Sequence, residues 1–407
     1  METPLCSPSP PEDDRAAPPL PANVRWLGLT SLLNDVASES VYPLLPQLLL
    51  GMAGGNRFFL GIIEGLAETV ASLLKLYAGA WSDRTGRRKT FILWGYALAA
   101  VARPITGWVG APWQLLATRV MDRIGKGVRT APRDALLADS TPSDSRGRAF
   151  GFHRAMDHLG AALGPLLATA FLLVWPGAVR PLFLLTIIPG IAVVVILVWG
   201  VREPSIERGE EPPAASRKSA LRPAPFSADF RRLLFAIGLF TLGNSSDAFL
   251  LVRAGELGTP TWLLPLLWCL FHVVKSVGNA WAGRAVDRTG PRPLLLAGWM
   301  LYAALYLAFA LATTTWQIWA IFLAYGTVYA LVEPSEKKLV AELAGAERRG
   351  LAFGWFHGIV GAAAFPSSVA FGWLYEQYGA TIAFGSGSLL ALLAVGVLIA
   401  PRAKLPS

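Results

Sequence analysis

The chain has 407 residues, of which 54% are hydrophobic and only 15% are charged, and its mean hydropathy is +0.47. Soluble domains average about 25% charged residues, so this composition excludes an ordinary soluble protein. The net charge of +9 does not indicate a nucleic-acid partner. The Lys and Arg residues lie in loops between apolar runs, where the preference of cations for the cytoplasmic side of a membrane explains them.

The amino terminus differs in composition from the rest of the chain. Residues 1–22 are rich in proline and lack the basic start and apolar middle of a signal peptide. We therefore predict a disordered cytoplasmic tail over residues 1–22. The two cysteines, Cys6 and Cys269, are far apart and show no metal-binding spacing, so we expect neither a structural disulfide nor a metal site.

The remaining chain consists of apolar runs long enough to cross a bilayer. They predict an all-α membrane protein with twelve transmembrane helices, at roughly residues 24–50, 58–81, 90–109, 113–137, 148–174, 181–200, 231–253, 260–283, 293–313, 315–339, 350–375 and 380–400. An even number of spans puts both termini on one side. The loops on that side carry most of the Lys and Arg residues, so we expect cytoplasmic termini and a plasma-membrane location.

The chain divides into two related halves. Residues 201–230 contain Glu, Pro, Ser, Arg and Lys without an apolar stripe, which predicts a cytoplasmic linker between a half at 23–200 and a half at 231–401. The sequence DRTG at 83–86 recurs at 287–290, and RGRAFG at 146–151 recurs as RGLAFG at 349–354. Two related halves are the build of many secondary transporters.

Three stretches carry a resemblance to a known family. GAWSDRTGRRK at 79–89 resembles the loop between spans 2 and 3 of the major facilitator superfamily, and RVMDRIGKG at 119–127 is similar to its span 4 motif. GAALGP at 160–165 is similar to its span 5 antiporter motif, GxxxGP. The resemblance covers about residues 24–400. It implies a fold of two pseudo-symmetric six-helix halves, transport by alternating access, and a likeness to proton-coupled drug antiporters.

Ionisable residues inside spans are the first candidates for function, because each costs about 2.5–3.5 kcal/mol on insertion scales. Asp35 and Glu39 are four residues apart on one face of span 1, and we expect Asp35 to accept the coupling proton. In the family, spans 1 and 4 line the cavity, and the arginine matched by Arg119 is implicated in proton coupling. An Arg119–Asp35 pair that separates during transport would act as a proton switch; a structural polar network is the alternative for Asp35.

Further polar residues are expected to line the same cavity. Glu68 and Lys75 could instead form an ion pair, Glu64 is expected to be solvated near the outer end, and Arg123 could contact headgroups or serve in gating. The candidates for proton coupling or substrate binding are Asp35, Glu39, Glu68, Arg119, Asp122, Arg123, Asp157, His158, Asp247, His272, Lys275 and Glu333.

Two other groups are expected to control the positions of the helices. A cytoplasmic gate, in which Asp83 and Asp287 pair with neighbouring arginines, is expected at Gly79, Asp83, Arg84, Gly86, Arg87, Asp287, Arg288 and Gly290. Close packing and bending of span 5 are expected at Gly160, Gly164 and Pro165.

The sequence contains no P-loop, GxSxG or HExxH motif, so we predict no enzymatic activity and no cofactor. The favoured function is proton-coupled efflux of a small organic molecule by a monomer in the lipid bilayer. Proton-coupled uptake of an organic anion or metal chelate is one alternative. A membrane sensor or scaffold that transports nothing is another.

Overall fold

The computed structural model describes residues 19–142, 145–203, 226–344 and 349–400. Most of the predicted tail and most of the predicted linker, at residues 1–18 and 204–225, lie outside these ranges. The described residues form helices joined by short turns and contain no strand. The expected all-α class is confirmed.

The first group of helices corresponds to predicted spans 1 to 6. Its members are α1 (Ala22–Val41), α2 (Leu45–Leu50), α3 (Arg57–Thr85), α4 (Arg88–Thr106), α5 (Pro112–Asp139), α6 (Arg146–Val174), α7 (Val179–Leu185) and α8 (Ile187–Trp199). A 3-10 turn that contains Pro43 separates α1 from α2, because proline cannot donate the hydrogen bond that a continuous helix requires.

The second group corresponds to predicted spans 7 to 12. Its members are α9 (Ala228–Gly243), α10 (Ala248–Glu256), α11 (Leu264–Thr289), α12 (Pro291–Leu311), α13 (Thr315–Ala344) and α14 (Arg349–Ile399). Predicted span 7 is interrupted between α9 and α10. Predicted spans 11 and 12 both lie within α14, which is broken at Gly379, where φ is 81° and ψ is 178°. Only glycine adopts this backbone conformation readily.

Matching caps begin corresponding helices in the two groups. The Gln114 side chain accepts hydrogen bonds from the backbone N–H groups of Gly110 and Ala111 at 2.7 and 3.1 Å, just before α5. The Gln317 side chain accepts from Thr313 and Thr314 at 2.9 and 3.2 Å, before α13. These bonds satisfy backbone groups near a helix start. The internal similarity thus extends to local structure.

Most helix packing occurs within each group, and the main contacts between the groups involve three pairs of helices. Within the first group, α1 packs on α6 and α8, and α5 packs on α3 and α4; within the second, α9 and α12 pack on α14, and α11 packs on α13. Between the groups, α3 packs on α14, α6 on α11 and α2 on α10. A central space remains between the two groups.

The surface differs from that of a soluble protein, and several charged side chains are buried. Large apolar side chains are exposed, such as Leu167 at 59%, Ile188 at 64% and Trp199 at 78%, while Glu64 and Arg119 are only 6% and 8% exposed. Lipid is the solvent that suits such a surface. In the part of the chain that the structure describes, seven helical stretches are long and apolar enough to cross a membrane: Arg148–Val174, Val179–Trp199, Ala228–Glu256, Thr261–Asn279, Pro291–Leu311, Thr315–Ala344 and Ala352–Ile399.

Candidate functional site: a central charged cavity

A cavity of two connected chambers lies between the two groups of helices. The inner chamber, nearer the loop at 79–89, has a volume of about 400 Å³. The outer chamber has a volume of about 330 Å³. Glu39, Arg123, Lys126 and His272 line both chambers and mark the junction between them. Residues from both helix groups therefore line both chambers.

The structure brings all the predicted cavity residues to this region. On the outer chamber or the junction lie Glu39, Glu68, Arg119, Arg123, Asp247 and His272. On the inner chamber lie Asp35, Asp157, His158, Lys275 and Glu333. Asp122 lines a small adjoining pocket between α1, α4 and α5.

The predicted pairing of Arg119 with Asp35 is wrong. Arg119 Nε donates to Glu64 Oε1 at 2.8 Å, and its Nη2 donates to Glu64 Oε2 at 3.2 Å. Glu64 is buried, so the expectation that it is solvated near the outer end is also wrong. The reason lies in helix packing: α3 lies against α5, whereas Asp35 on α1 lies against Gly160 of α6. The sequence places these groups on their helices but does not give the rotation of one helix against another.

A chain of polar contacts nevertheless connects Asp35 with Arg119. Asn34 Nδ2 donates to Asp35 at 2.9 Å, and Arg103 donates to Asn34 Oδ1 at 3.0 Å and to Asp122 at 2.9 Å. Asp122 also lies 3.7 Å from the Arg119 guanidinium. Sequence reasoning missed Arg103, although an arginine within predicted span 3 is itself a signal of a functional or paired charge.

The network crosses to the second helix group at the break between α9 and α10. Glu64 Oε2 accepts hydrogen bonds from Tyr42 at 3.3 Å and from Ser246 at 3.2 Å. The next residue, Asp247, accepts from Tyr329 at 2.9 Å and from Tyr325 at 3.3 Å. Interrupted helices at the midpoint of a bundle are a known way of building transporter sites. This interruption is another feature that the apolar pattern did not reveal.

Aromatic side chains cover one wall of the outer chamber. Trp268 Nε1 donates to Glu39 at 2.8 Å, and the Trp268 ring lies 5.1 Å from the Tyr42 ring and 4.9 Å from the His272 ring, between centroids. Neither Trp268 nor Tyr42 was among the predicted site residues. The only indication in the sequence was that these amphipathic aromatic residues lie inside predicted spans and not near the ends of spans, where such residues usually occur.

Polar contacts at the inner chamber join α6 to the second helix group. Arg154 lies 3.8 Å from Asp157 and 3.9 Å from Glu333. Asp157 also accepts a hydrogen bond from Ser31, and His158 shares a hydrogen bond of 3.3 Å with Ser276. The Glu68–Lys75 ion pair that the sequence suggested is not among the salt bridges of the described residues.

The two ends of the cavity differ. At the outer end, Arg57 donates to Glu256 at 2.6 Å and to Glu376 at 3.3 Å, and Tyr375 donates to Glu256 at 2.7 Å. These contacts join α3 to α10 and α14. At the inner end, the Arg154 side chain lines the chamber and is 62% exposed. Ion pairs therefore join the two helix groups at the Arg57 end, whereas at the inner end the exposed Arg154 lies 3.9 Å from Glu333 of the second group.

The predicted gate residues lie at the inner end, but only part of the expected pairing occurs. Asp83 accepts from Arg88 at 3.3 Å, as expected for a neighbouring arginine. Asp287 pairs with Lys338 at 2.7 Å and not with an arginine, which corrects that expectation. The side chains of Arg84, Arg87 and Arg288 are exposed. The Asp83–Arg88 pair lies within the first helix group and the Asp287–Lys338 pair within the second, so neither pair joins the two groups.

Glycine has a conformational or steric role at several predicted positions. Gly86 ends α3 with φ 66°, and Gly290 has φ 83°. A Cβ at Gly160 would lie 2.5 Å from the Leu32 carbonyl oxygen, and one at Gly164 would lie 2.6 Å from that of Val36. The backbones of α1 and α6 thus approach closely along the predicted packing motif, in which Pro165 also lies within α6. Gly79 lies against Ala131 of α5.

In the described residues, no group of three or more His, Cys, Asp or Glu side chains is arranged to hold a metal ion. The free Cys269 is buried and donates to the Ala162 carbonyl oxygen at 3.4 Å.

The fold and its cavity define a multi-pass membrane transporter, and comparison with known proteins gives its family. The profile of the Major Facilitator Superfamily matches residues 27–274 and again 263–407. The chain belongs to this superfamily, as its motifs predicted, and is a transporter rather than an enzyme. The repeated match agrees with the internal similarity of the two halves.

Relatives and solved structures give the same family. The chain is 29% identical to an uncharacterised MFS-type transporter of Methanocaldococcus jannaschii, with 94% of this chain and 96% of that protein covered. It is 26% identical to the multidrug resistance protein MdtG of Escherichia fergusonii, with 72% and 73% covered. The crystal structure of the human organic anion transporter MFSD10 matches 93% of this chain and 99% of that chain, with TM-score 0.65 and 19% identity, which shows the common fold alone.

Proposed function

We propose that this protein couples the movement of protons to the efflux of a small organic molecule by alternating access. In this proposal twelve spans cross the plasma membrane, both termini are cytoplasmic, and the chain acts as a monomer. The two helix groups, residues 23–200 and 231–401, move as units about the cavity. The inner end, where the loop at 79–89 lies, faces the cytoplasm because its loops carry most of the cations.

The observation that supports proton coupling is that Asp35 lines the cavity without an ion pair to any described residue. Asp35 lines the inner chamber and has no salt bridge to any residue in the described ranges, whereas Glu64 and Asp122 are held by arginines. A carboxyl group without an ion pair can gain or lose a proton without breaking one. Its contact with Asn34 links it to the network that reaches α10, so a change at Asp35 can affect both helix groups.

Efflux is supported by two weaker observations. The relative MdtG is named a multidrug resistance protein, and residues 160–165 match the GxxxGP motif associated with antiporters.

The Asp35→Asn variant tests the coupling. In proteoliposomes with a pH gradient, compounds are screened for substrate-driven proton movement with a pH-sensitive dye. We expect Asp35→Asn to abolish gradient-driven transport while retaining exchange of substrate across the membrane and an unchanged melting temperature. Asp229→Asn, which removes the same charge outside the cavity, should transport normally. Full gradient-driven transport by Asp35→Asn would refute its role as the coupling group.

A further inference from the structure

The inner chamber carries an excess of positive charge. Among the described residues, eight Lys or Arg line it, against four Asp or Glu. The outer chamber is lined by three described Lys or Arg residues and four described Asp or Glu residues, so the excess of positive charge lies in the inner chamber. Charges inside a membrane protein are costly unless they are paired or used.

Pairing accounts for only part of this charge. Arg103 is held by Asp122, Arg133 by Asp134, and Arg154 lies near Asp157 and Glu333. The side chains of four cations form no salt bridge and no hydrogen bond in the ranges that the structure describes. They are Lys75, Lys126, Arg129 and Lys275.

Unpartnered polar atoms in the same chamber point to a ligand. Arg129 is 5% exposed, and its Nη1 has no hydrogen-bond partner among the described residues. Asn279 Oδ1 and His272 Nε2, both on the chamber wall, also lack a hydrogen-bond partner among the described residues, and His272 Nε2 lies 3.9 Å from Glu39 Oε2. Buried polar atoms are normally satisfied, so these atoms are suited to a molecule that enters the chamber.

We propose that the inner chamber binds the anionic group of the substrate, a carboxylate or a phosphate, among Lys75, Lys126 and Lys275, and that the transported class is organic anions. This inference rests on the proposed transport function. The remainder of the substrate extends toward the aromatic wall formed by Tyr42 and Trp268.

The three lysines also explain how such a substrate would act on the conformation. Lys75 on α3 and Lys126 on α5 belong to the first helix group, whereas Lys275 on α11 belongs to the second and lies 4.0 Å above the Tyr329 ring. Without an anion, closing the inner end brings these like charges together, which is unfavourable. A bound anion compensates them and contacts both groups, so it stabilises the closed inner end.

The charge of the chamber can be measured without knowing the substrate. In a protein with Cys6→Ser and Cys269→Ser, a single cysteine is introduced as Thr130→Cys in the inner chamber or Ala364→Cys in the outer chamber. Each is labelled with anionic and cationic methanethiosulfonates, and a neutral analogue corrects for accessibility. We expect the anionic-to-cationic rate ratio to be about tenfold or more higher at Thr130→Cys, because a cleft lined by one sign of charge concentrates counter-ions.

A matched pair of lysine variants tests whether a lysine of the chamber causes the preference for the anionic reagent. Lys126→Gln should reduce the anionic preference at Thr130→Cys severalfold. Lys89→Gln, which removes the same charge at the same end but outside the chamber, should leave it unchanged; there the Nζ bonds to the Val198 carbonyl oxygen. Equal ratios at the two cysteines, or a preference for the cationic reagent at Thr130→Cys, would overturn the proposal.

A transport assay distinguishes failure of the anion assignment from failure of the proposed transport function. Benzoate, benzyl alcohol and benzylammonium are compared as drivers of proton movement in proteoliposomes, after subtraction of the movement that permeation of neutral benzoic acid or benzylamine causes in protein-free liposomes. Proton movement with the alcohol or the ammonium compound but not with benzoate overturns the anion assignment and leaves coupled transport standing. An anionic labelling preference that Lys126→Gln reduces, without proton movement by any compound of a wider screen, retains the anion site and overturns the proposed transport.

Discussion

At the scale of single residues, Arg119 and Glu64 form a buried ion pair with two hydrogen bonds, at 2.8 and 3.2 Å. Removing one partner of a buried pair leaves the other charge uncompensated and costs about 3–5 kcal/mol. We therefore expect Glu64→Gln to lower the free energy of unfolding by about 3 kcal/mol, since Asp122 still lies near the guanidinium at 3.7 Å. Denaturation of the purified protein in detergent measures this loss.

The double variant tests whether the two residues act as a pair. Glu64→Gln with Arg119→Gln should be less destabilised than the sum of the single variants, because no charge is left without its partner. Glu256→Gln, whose pair with Arg57 is partly exposed at 25–30%, should cost only about 1 kcal/mol or less. Additive losses in the double variant would mean that Glu64 and Arg119 contribute independently.

The contacts between charged side chains were the part of the site that the sequence predicted least well. The rule that intramembrane charges are costly selected twelve residues, and all lie on the cavity or its adjoining pocket. Their partners were not predictable, because pairing depends on how far each helix is rotated and tilted against its neighbours. Arg119 therefore contacts Glu64 of α3 instead of Asp35, and Arg103 was overlooked although the same rule applies to it.

At the scale of helices, the all-α class was predictable from long apolar runs, but only seven stretches of the described residues meet the length and hydropathy of a span, against twelve predicted. The interruptions at Tyr42–Leu44 and between α9 and α10 were not predicted. Apolar residues continue on both sides of each interruption, so periodicity alone does not mark the change of direction. These interruptions matter for function because they place Tyr42, Ser246 and Asp247 at the cavity.

The contact between α1 and α6 gives a prediction at this scale. Gly164→Ala would place a methyl group 2.6 Å from the Val36 carbonyl oxygen. Because backbone cannot yield as a flexible side chain can, we expect a loss of about 1–3 kcal/mol in stability, measured by denaturation. Gly151→Ala in the same helix has nothing within 4 Å of the added Cβ and should be neutral or stabilising by up to about 1 kcal/mol. Equal changes in stability for Gly164→Ala and Gly151→Ala would mean that helix propensity, and not the close approach of α1 and α6, determines the effect.

The outer closure gives a second prediction about helices. Arg57 joins α3 to Glu256 of α10 and Glu376 of α14 through partly exposed pairs, each worth up to about 1 kcal/mol. Arg57→Gln should therefore raise the outward-open population severalfold. Faster labelling of Ala364→Cys by an impermeant reagent added outside cells would report this change.

The control for this prediction is an arginine on the same side with contacts in one helix group only. Arg180 donates to the carbonyl oxygens of Gly107 and Val109, so Arg180→Gln should leave labelling at Ala364→Cys unchanged. Unchanged labelling in Arg57→Gln as well would mean that close packing of α3 on α14, and not the ion pairs, holds the outer end shut.

At the scale of the whole molecule, the distribution of charge bears on the direction of transport. The excess cations line the chamber at the inner end, which we assign to the cytoplasm. A positive cleft draws anions from the solution that it faces, so it would load from the cytoplasm and export. We therefore expect inside-out vesicles with an acidic lumen to accumulate substrate and lose their pH gradient, and vesicles containing Asp35→Asn to do neither. Accumulation by right-side-out vesicles in acidic medium would instead mean uptake, in which the proton and the anion enter together.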